Sequence, residues 1–366
     1  MRTAWKWLVG GVAGVAVAVL GLIALVMWRS LPVLEGEMVA SVYHPVLVER
    51  DEDGRVTISG KTRADVAWAT GFVHAQERFL QMDLMRRRAA GELSELLGQV
   101  AVEADKRWRV HRLRARTEQY WQKLPRWQQN LLEAYADGVN AGMKALGSRP
   151  LEYWLLGSSP KAWRPQDSLL VVASMYIELQ DEDGEQDWQR YLLRKVFGRA
   201  VASVLSPEYS PFDAPIDDLN PRTPSPWQPL PELGQQLVLA NVHDDERNPV
   251  DAVGSNNWAV SGKLTDNGLP ILEDDMHLGL SVPSTWFYAR LIVKESNIDV
   301  SGVTLPGVPA VVVGSNRHIA WGYTNSYGDW GDLIALKTDH NHTHYLTPQG
   351  WQPFKEIQEI IHVKEA

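Results

Sequence analysis

Three patterns of hydrophobic and polar positions succeed one another along the chain. Leu8 to Met27 carries no polar side chain, and it is long enough to cross a bilayer as a helix. From Asp65 to about Leu97 apolar residues recur at helical spacing. Phe72, Ala75, Phe79, Met82 and Met85 fall at steps of three and four, the stripe of an amphipathic helix. Beyond Ser255 the pattern becomes short apolar runs set between Gly, Pro, Asn and Asp. Trp258 to Ser261, Ile271-Leu272, Trp286 to Val293, Ile298 to Val300, Ala310 to Val313 and Ile319 to Gly322 all read as strands.

Smaller signals fill in the rest. Val42 to Arg50 and Val56 to Ser59 predict two strands joined by the turn Asp51-Glu52-Asp53-Gly54. Thr62 is placed to cap the long helix, with Asp65 three residues on as its capping-box partner. Arg86-Arg87-Arg88 is expected on a solvated face. Val102 to Leu146 predicts two or three helices broken near Pro125, with Trp108, Trp121 and Trp127 as packing residues. Leu169 to Leu179 and Trp188 to Leu205 predict two more helices, separated by the acidic loop Asp181 to Glu185. Between Ser206 and about Asp251 the composition shifts, with eight prolines from Pro207 to Pro231 and then the charged run His243 to Asn248. Such a stretch buries little surface and predicts a linker.

The flanks of the first apolar run give it a direction. Arg2 and Lys6 precede it, Trp5, Trp7 and Trp28 mark its two ends, and Arg29 follows. Basic residues on the N-terminal side predict that end inside and everything after residue 30 outside, in the periplasm. A secretory signal peptide is the competing reading. The length of the run and the lack of a small-x-small cleavage site favour an uncleaved anchor.

Composition narrows the chemistry. The 366 residues suffice for one large domain or two ordinary ones. A net charge of -9 and a pI near 5.6 argue against a nucleic-acid binder, which needs a basic face. The absence of cysteine excludes disulfides, thiolate zinc sites and cysteine nucleophiles.

Where the linker meets the strand-rich part, the chain reads Val253-Gly254-Ser255-Asn256-Asn257-Trp258. Ser255 is one more loop serine or, if the Gly254–Ser255 bond is cut, a new N-terminus. Its α-amine would then have an ordinary pKa of about 7.7–8.0, partly neutral at physiological pH and able to take the hydroxyl proton. That is nucleophile activation by an N-terminal amine, which needs neither a His-Asp pair nor a thiol. The same hydroxyl can make the cut, by attacking the Gly254 carbonyl, shifting the acyl group from N to O and yielding the ester to water. A glycine before the serine eases the strained geometry this requires.

Four stretches in order give this boundary its specificity. They are Thr70-Gly71-Phe72-Val73-His74-Ala75-Gln76-Glu77-Arg78 with Gln81-Met82-Asp83-Leu84 and Arg87-Arg88; Gly254-Ser255-Asn256-Asn257-Trp258; Asp274-Asp275-Met276-His277-Leu278; and Ala320-Trp321-Gly322-Tyr323-Thr324-Asn325. With them the chain resembles the penicillin acylase family of N-terminal-nucleophile amidohydrolases, over roughly residues 40 to 340.

The resemblance implies an α+β fold, the four-layer αββα sandwich of N-terminal-nucleophile hydrolases. It implies a precursor with an anchor or signal segment over 1–30, a helical α-chain region over 31–205, a spacer over 206–254 and a β chain from 255 to 366. The α and β chains pair after processing. Ser255 aligns with the nucleophile, Gly254 and Ser255 with the cut bond, and His277 with a histidine that supports maturation or orients the amine. The oxyanion donor falls on the backbone N–H of Asn325, with Thr324 and Ser326 as neighbours. Met175, Leu179 and Leu278 match the acyl pocket; taken alone they are plain core positions. Glu185, Asp329 and Asp332 match the ligands of a structural Ca2+, a hard cation suited to oxygen donors; taken alone they are an acidic loop and turn aspartates. No organic cofactor and no nucleic-acid partner are implied.

Two departures bear on this. Gly54-Arg55-Val56-Thr57-Ile58 stands where the family usually has Gly-Val-Pro-His-Ile. Family β chains also run on for several hundred residues and supply there a side-chain amide that completes the oxyanion hole. The chain is accordingly expected to be a fragment or truncated product, and the activity to belong to the complete protein. Expected substrates are N-acyl amides, whether a penicillin-type side chain or an N-acyl homoserine lactone. A non-catalytic envelope protein using its 16 tryptophans to bind sugars or partners is a second reading. A serine hydrolase with a His-Asp pair ranks last, because no Gly-x-Ser-x-Gly elbow surrounds Ser255.

Overall fold

The computed structural model describes residues 2–40, 42–179, 184–206, 255–325 and 330–365, with side chains from residue 14 onward except those of 185 and 186. The spacer expected over 206–254 lies outside the described residues but for Ser206. The described residues form both helices and a sheet, with more residues in helices than in strands, so the mixed helix-and-sheet class expected from the sequence holds.

Two compact units share the chain. One comprises Met1–Tyr176, Gly254–Asn325 and Gln358–Ala366; the other comprises Ile177–Val253 and Ser326–Ile357. The first begins with helix α1 (Arg2–Arg29), formed over the apolar run. Among the described residues no helix is long and apolar enough to cross a membrane. The anchor expected from Leu8 to Met27 therefore has no support in the described part of the chain.

A six-stranded sheet organises the first unit. Its order is β1 (Leu47–Arg50), β2 (Val56–Gly60), β5 (Phe287–Val293), β6 (Ile298–Thr304), β7 (Val311–Ser315) and β8 (Ala320–Trp321). All neighbours are antiparallel except β2 and β5, which run parallel with Val56 opposite Ala289 and Gly60 opposite Val293. The first strand is shorter than the sequence predicts, Leu47–Arg50 rather than Val42 to Arg50.

Helix α2 (Arg63–Ala90) packs on this sheet and on α6 (Arg126–Ala145). It starts where its capping box predicts. Thr62 Oγ1 accepts from the Asp65 N–H at 3.1 Å, and Asp65 Oδ2 accepts from the Thr62 N–H at 3.2 Å. It stops at Gly91, whose φ of 64° is the left-handed cap that glycine adopts without strain. The α2–α6 contact is close enough to need glycine on both sides. A Cβ on Gly138 would lie 1.8 Å from Trp68 O, and one on Gly71 would lie 2.2 Å from Tyr135 O. Val56, Ile58, Val66, Val73, Phe287 and Ala289 fill the layer between α2 and the sheet. Phe79, Met82, Leu96, Tyr135, Val139 and Tyr153 fill a second cluster on the far side of α2.

Val102 to Leu146 yields three helices, α4 (Val102–Arg109), α5 (Leu113–Trp121) and α6, following α3 (Ser94–Leu97). Trp108 and Trp121 are buried as expected, but Trp127 is 59% exposed and is not a packing residue. The basic triplet also departs from expectation. Arg86 and Arg87 are buried, not solvated. Asp83 takes the Nε–H of both, at 2.8 and 2.9 Å. Asp167 takes an Arg86 Nη1–H at 2.6 Å, and Glu95 takes one from Arg87 at 2.8 Å. Arg114 closes the network through Glu92 and Asp167. Buried charge is tolerated because each has an opposite partner and further hydrogen bonds.

Helices α7 (Leu151–Leu155) and α8 (Asp167–Leu179) follow. In the second unit, α9 (Glu185–Leu205) is broken at Gly198, whose φ is 77°. A hairpin of β9 (His344–Thr347) and β10 (Gly350–Pro353), which the sequence reading did not include, completes that unit. Asp339 ties its base, accepting from the Thr343 and His344 N–H groups at 2.8 and 3.0 Å.

Candidate active site

Ser255 heads a strand. β3 (Ser255–Val260) pairs antiparallel with β4 (Ile271–Met276), separately from the six-stranded sheet. The register sets Ser255 opposite Met276, Asn256 opposite Asp275 and Asn257 opposite Asp274. Directly opposite residues in such a ladder share a face, and the faces alternate along each strand. Ser255, Asn257 and Asp274 are therefore on one face, and Asn256 and Asp275 on the other.

His277 follows β4 immediately and joins the second group. Its Nε2–H donates to Asp275 Oδ2 at 3.0 Å, and Asn256 Nδ2 lies 3.5 Å from the same nitrogen. The pair is half open to solvent, His277 being 41% and Asp275 57% exposed at the side chain. An exposed pair of this kind fixes the ring more than it adds stability. Its effect is to hold the imidazole beside the strand that begins with Ser255.

The Ser255 face meets the segment that follows β8. Asn316 first tightens the β7–β8 turn, its Oδ1 accepting from the His318 and Ile319 N–H groups at 3.0 and 2.9 Å. The chain then passes through Ala320-Trp321 into Gly322. There the Asn257 side-chain amide donates to Gly322 O at 3.1 Å. Asp274 presses on the same residue. A Cβ on Gly322 would lie 2.8 Å from Asp274 Cγ, so only glycine permits the approach. Both Asp274 carboxylate oxygens are buried there without a partner among the described residues. Asn257 and Asp274 thus fix Gly322 against the strand carrying Ser255. The motifs marked these residues, but neither their pairing register nor the Gly322 contact could be read from the sequence.

The other expected site residues are distributed unevenly. Gly254 lies outside the described residues. Met175 is half-buried against the core cluster of the first unit. Leu278 follows His277, its N–H bonded to Met276 O at 2.8 Å. Leu179 falls in the second unit. Of the three expected calcium ligands, Asp329 and the Glu185 side chain lie outside the described residues, and Asp332 is exposed. Near Asp332, the Leu333 N–H donates to Asp187 Oδ2 at 3.0 Å. Among the described residues no group of three or more His, Asp or Glu could hold a metal ion.

Comparison with known proteins agrees with the motifs. The family model for penicillin amidase matches residues 45–366. An acyl-homoserine lactone acylase, QuiP, of Pseudomonas aeruginosa is 33% identical, the match covering 92% of this chain and 40% of that protein. The penicillin acylase 2 proenzyme of a Pseudomonas species is 32% identical over 83% of this chain and 39% of its own length. The chain thus spans about two fifths of the length of these curated relatives. A solved thermostable penicillin G acylase from Alcaligenes faecalis aligns with a TM-score of 0.41 at 23% identity, covering 50% of this chain and 100% of that one.

Proposed function

The chain belongs to the penicillin amidase family, and from that premise we propose that it is the nucleophile-bearing part of an enzyme that hydrolyses acyl amides. The observation that carries the proposal is the placement of Ser255 at the head of β3, on the face that Asn257 and Asp274 lock to Gly322. After the Gly254–Ser255 bond is cut, the Ser255 amine takes the hydroxyl proton and the oxygen attacks the substrate's acyl carbon. The tetrahedral oxyanion is met by the Asn325 N–H, at the end of the segment that Gly322 begins. Such a preorganised donor is worth about 3–4 kcal/mol of barrier. The C–N bond then breaks, the amine leaves with the proton, and an acyl-serine ester remains. Water attacks that ester and releases the acid. His277, steadied by Asp275, orients the strand's new amine.

Met175 and Leu278 line the acyl side in this reading, within the four-layer αββα sandwich. The names of the relatives support two acyl amides, N-acyl homoserine lactones and penicillins with their side-chain amide. The proenzyme among them supports processing into two chains. Mass spectrometry of the complete purified protein tests the proposal. It should show a chain beginning Ser-Asn-Asn-Trp, absent in Ser255→Ala. Hydrolysis of acyl amides by a protein uncut at Ser255 would refute it.

A further inference from the structure

Five buried polar groups outside the Ser255 strand form one directed chain of four hydrogen bonds. His74, Tyr135 and Thr304 are all fully buried. The Thr304 hydroxyl donates to Phe287 O at 2.8 Å. Its one proton is thereby used, so it accepts from His74 Nε2–H at 3.0 Å. This assigns the tautomer and leaves His74 Nδ1 bare, 2.8 Å from the Tyr135 hydroxyl, which donates to it. The tyrosine oxygen in turn accepts from the Gly307 N–H at 2.9 Å. The imidazole is neutral, since burial first, and then nearby Arg78, pushes its pKa down to about 3. No proton in the chain is left over and no group is left unmet.

The far end of this chain is a tight turn. The Val308 N–H closes on Leu305 O at 2.9 Å, with Gly307 at a φ of 111°. Gly307 sits directly on helix α8, where a Cβ would lie 2.7 Å from the Val171 side chain. Val171 is one helical turn before Met175, so the two share a face of α8. Leu305, Val308 and Met175 all pack into the same apolar cluster. The Gly307 N–H ties the turn to Tyr135, and Tyr135 is oriented by His74.

We infer that His74 and Tyr135 are positioning residues that seat the Leu305–Val308 turn against α8, and so set the room available to the acyl group beside Met175. The inference rests on the acyl pocket of the proposed function. It assigns acyl-size selectivity to a hydrogen-bond chain that touches no substrate. Losing the Tyr135 hydroxyl leaves the buried Gly307 N–H without an acceptor, and the turn must lift off Val171 to find another.

The test uses the complete enzyme as wild type, as Tyr135→Phe, and as Val171→Ala. The alanine leaves the hydrogen-bond chain whole while giving the turn room. Two amides of one amine are compared, one phenylacetyl and one octanoyl. In both variants KM for the octanoyl amide should fall relative to the phenylacetyl amide by about tenfold, the discrimination that room for a methylene carries in an apolar pocket. The two kcat values should change in step. A general loss of structure would instead lower activity on both amides and leave the KM ratio unmoved. An unmoved ratio in Val171→Ala, or in a folded Tyr135→Phe, overturns the inference while leaving the acylase reading intact. A wild-type enzyme that hydrolyses neither amide overturns both.

Discussion

Replacing Asp167 by asparagine removes one charge from the buried ionic network and leaves its shape. Asp167 is 1% exposed. It accepts from Arg86 Nη1 at 2.6 Å, from the Arg164 N–H at 2.8 Å and from Arg114 Nη1. Asp83, Glu92, Glu95 and Asp167 face Arg86, Arg87, Arg114 and Lys161, so charge balances in the wild type. Asparagine leaves one net positive charge and turns an amide N–H₂ toward a guanidinium. Breaking a buried pair from one side costs about 3–5 kcal/mol. Arg114 is partly open to water and keeps Glu92, which favours about 3 kcal/mol. At roughly 2–4 °C per kcal/mol for a unit of this size, the melting midpoint should fall by about 6–12 °C. Circular dichroism at neutral pH measures it, with exposed Asp53→Asn as the control, expected within about 0.5 kcal/mol.

Acid adds a second readout. Burial alone would raise the Asp167 pKa, but the Arg86 and Arg114 guanidiniums and the Arg164 N–H outweigh it and hold the carboxyl below the ordinary range. A lowered folded pKa means the stabilisation is complete above the ordinary aspartate value, about 4. It fades as pH falls from there to the folded value. The gap between wild type and Asp167→Asn should therefore narrow in acid. A melting difference under about 2 °C at neutral pH, or a gap that widens in acid, would refute the network as a stabilising unit.

Two further changes test other parts of the structure. Gly322→Ala forces a Cβ to within 2.8 Å of Asp274 Cγ and should displace the segment leading to Asn325, lowering kcat for an acyl amide about a hundredfold; an unchanged kcat would show that this approach does not position the oxyanion donor. Thr62→Ala removes the acceptor of the Asp65 N–H and should destabilise the fold by about 1 kcal/mol in a denaturant titration with an unchanged slope; no shift in midpoint would remove the capping box from the account of where α2 begins.

What could be read from the sequence was local. Helix α2 was legible because its stripe, its Thr62 cap and its Gly91 stop all lie within one segment. Trp127 was misread because its neighbours in sequence do not show which side of α6 faces the core. Arg86 and Arg87 were misread for a related reason. Asp167 is far from them along the chain, and a charged triplet without its partner looks like a solvated surface. The same limit applied at the site. Ser255 and His277 were each marked by a motif, yet the ladder that puts Asn257 opposite Asp274, and both against Gly322, depends on register and close approach. The β9–β10 hairpin was missed because Thr338 to Gln352 is too polar to show a strand period.

The parallel pairing of β2 with β5 has a consequence for what a cut at Ser255 would leave behind. β2 precedes that bond and β5 follows it, and they sit side by side in mid-sheet from Val56–Ala289 to Gly60–Val293. Phe287 and Ala289 from one piece fill the same apolar layer as Val66 and Val73 from the other. Opening the Gly254–Ser255 bond would turn this seam from a fold into a heterodimer interface made of hydrophobic interior. Parting the two polypeptides would mean unzipping a sheet at its centre. Dilution should not separate them, and two separately made halves would each expose half a core until they met.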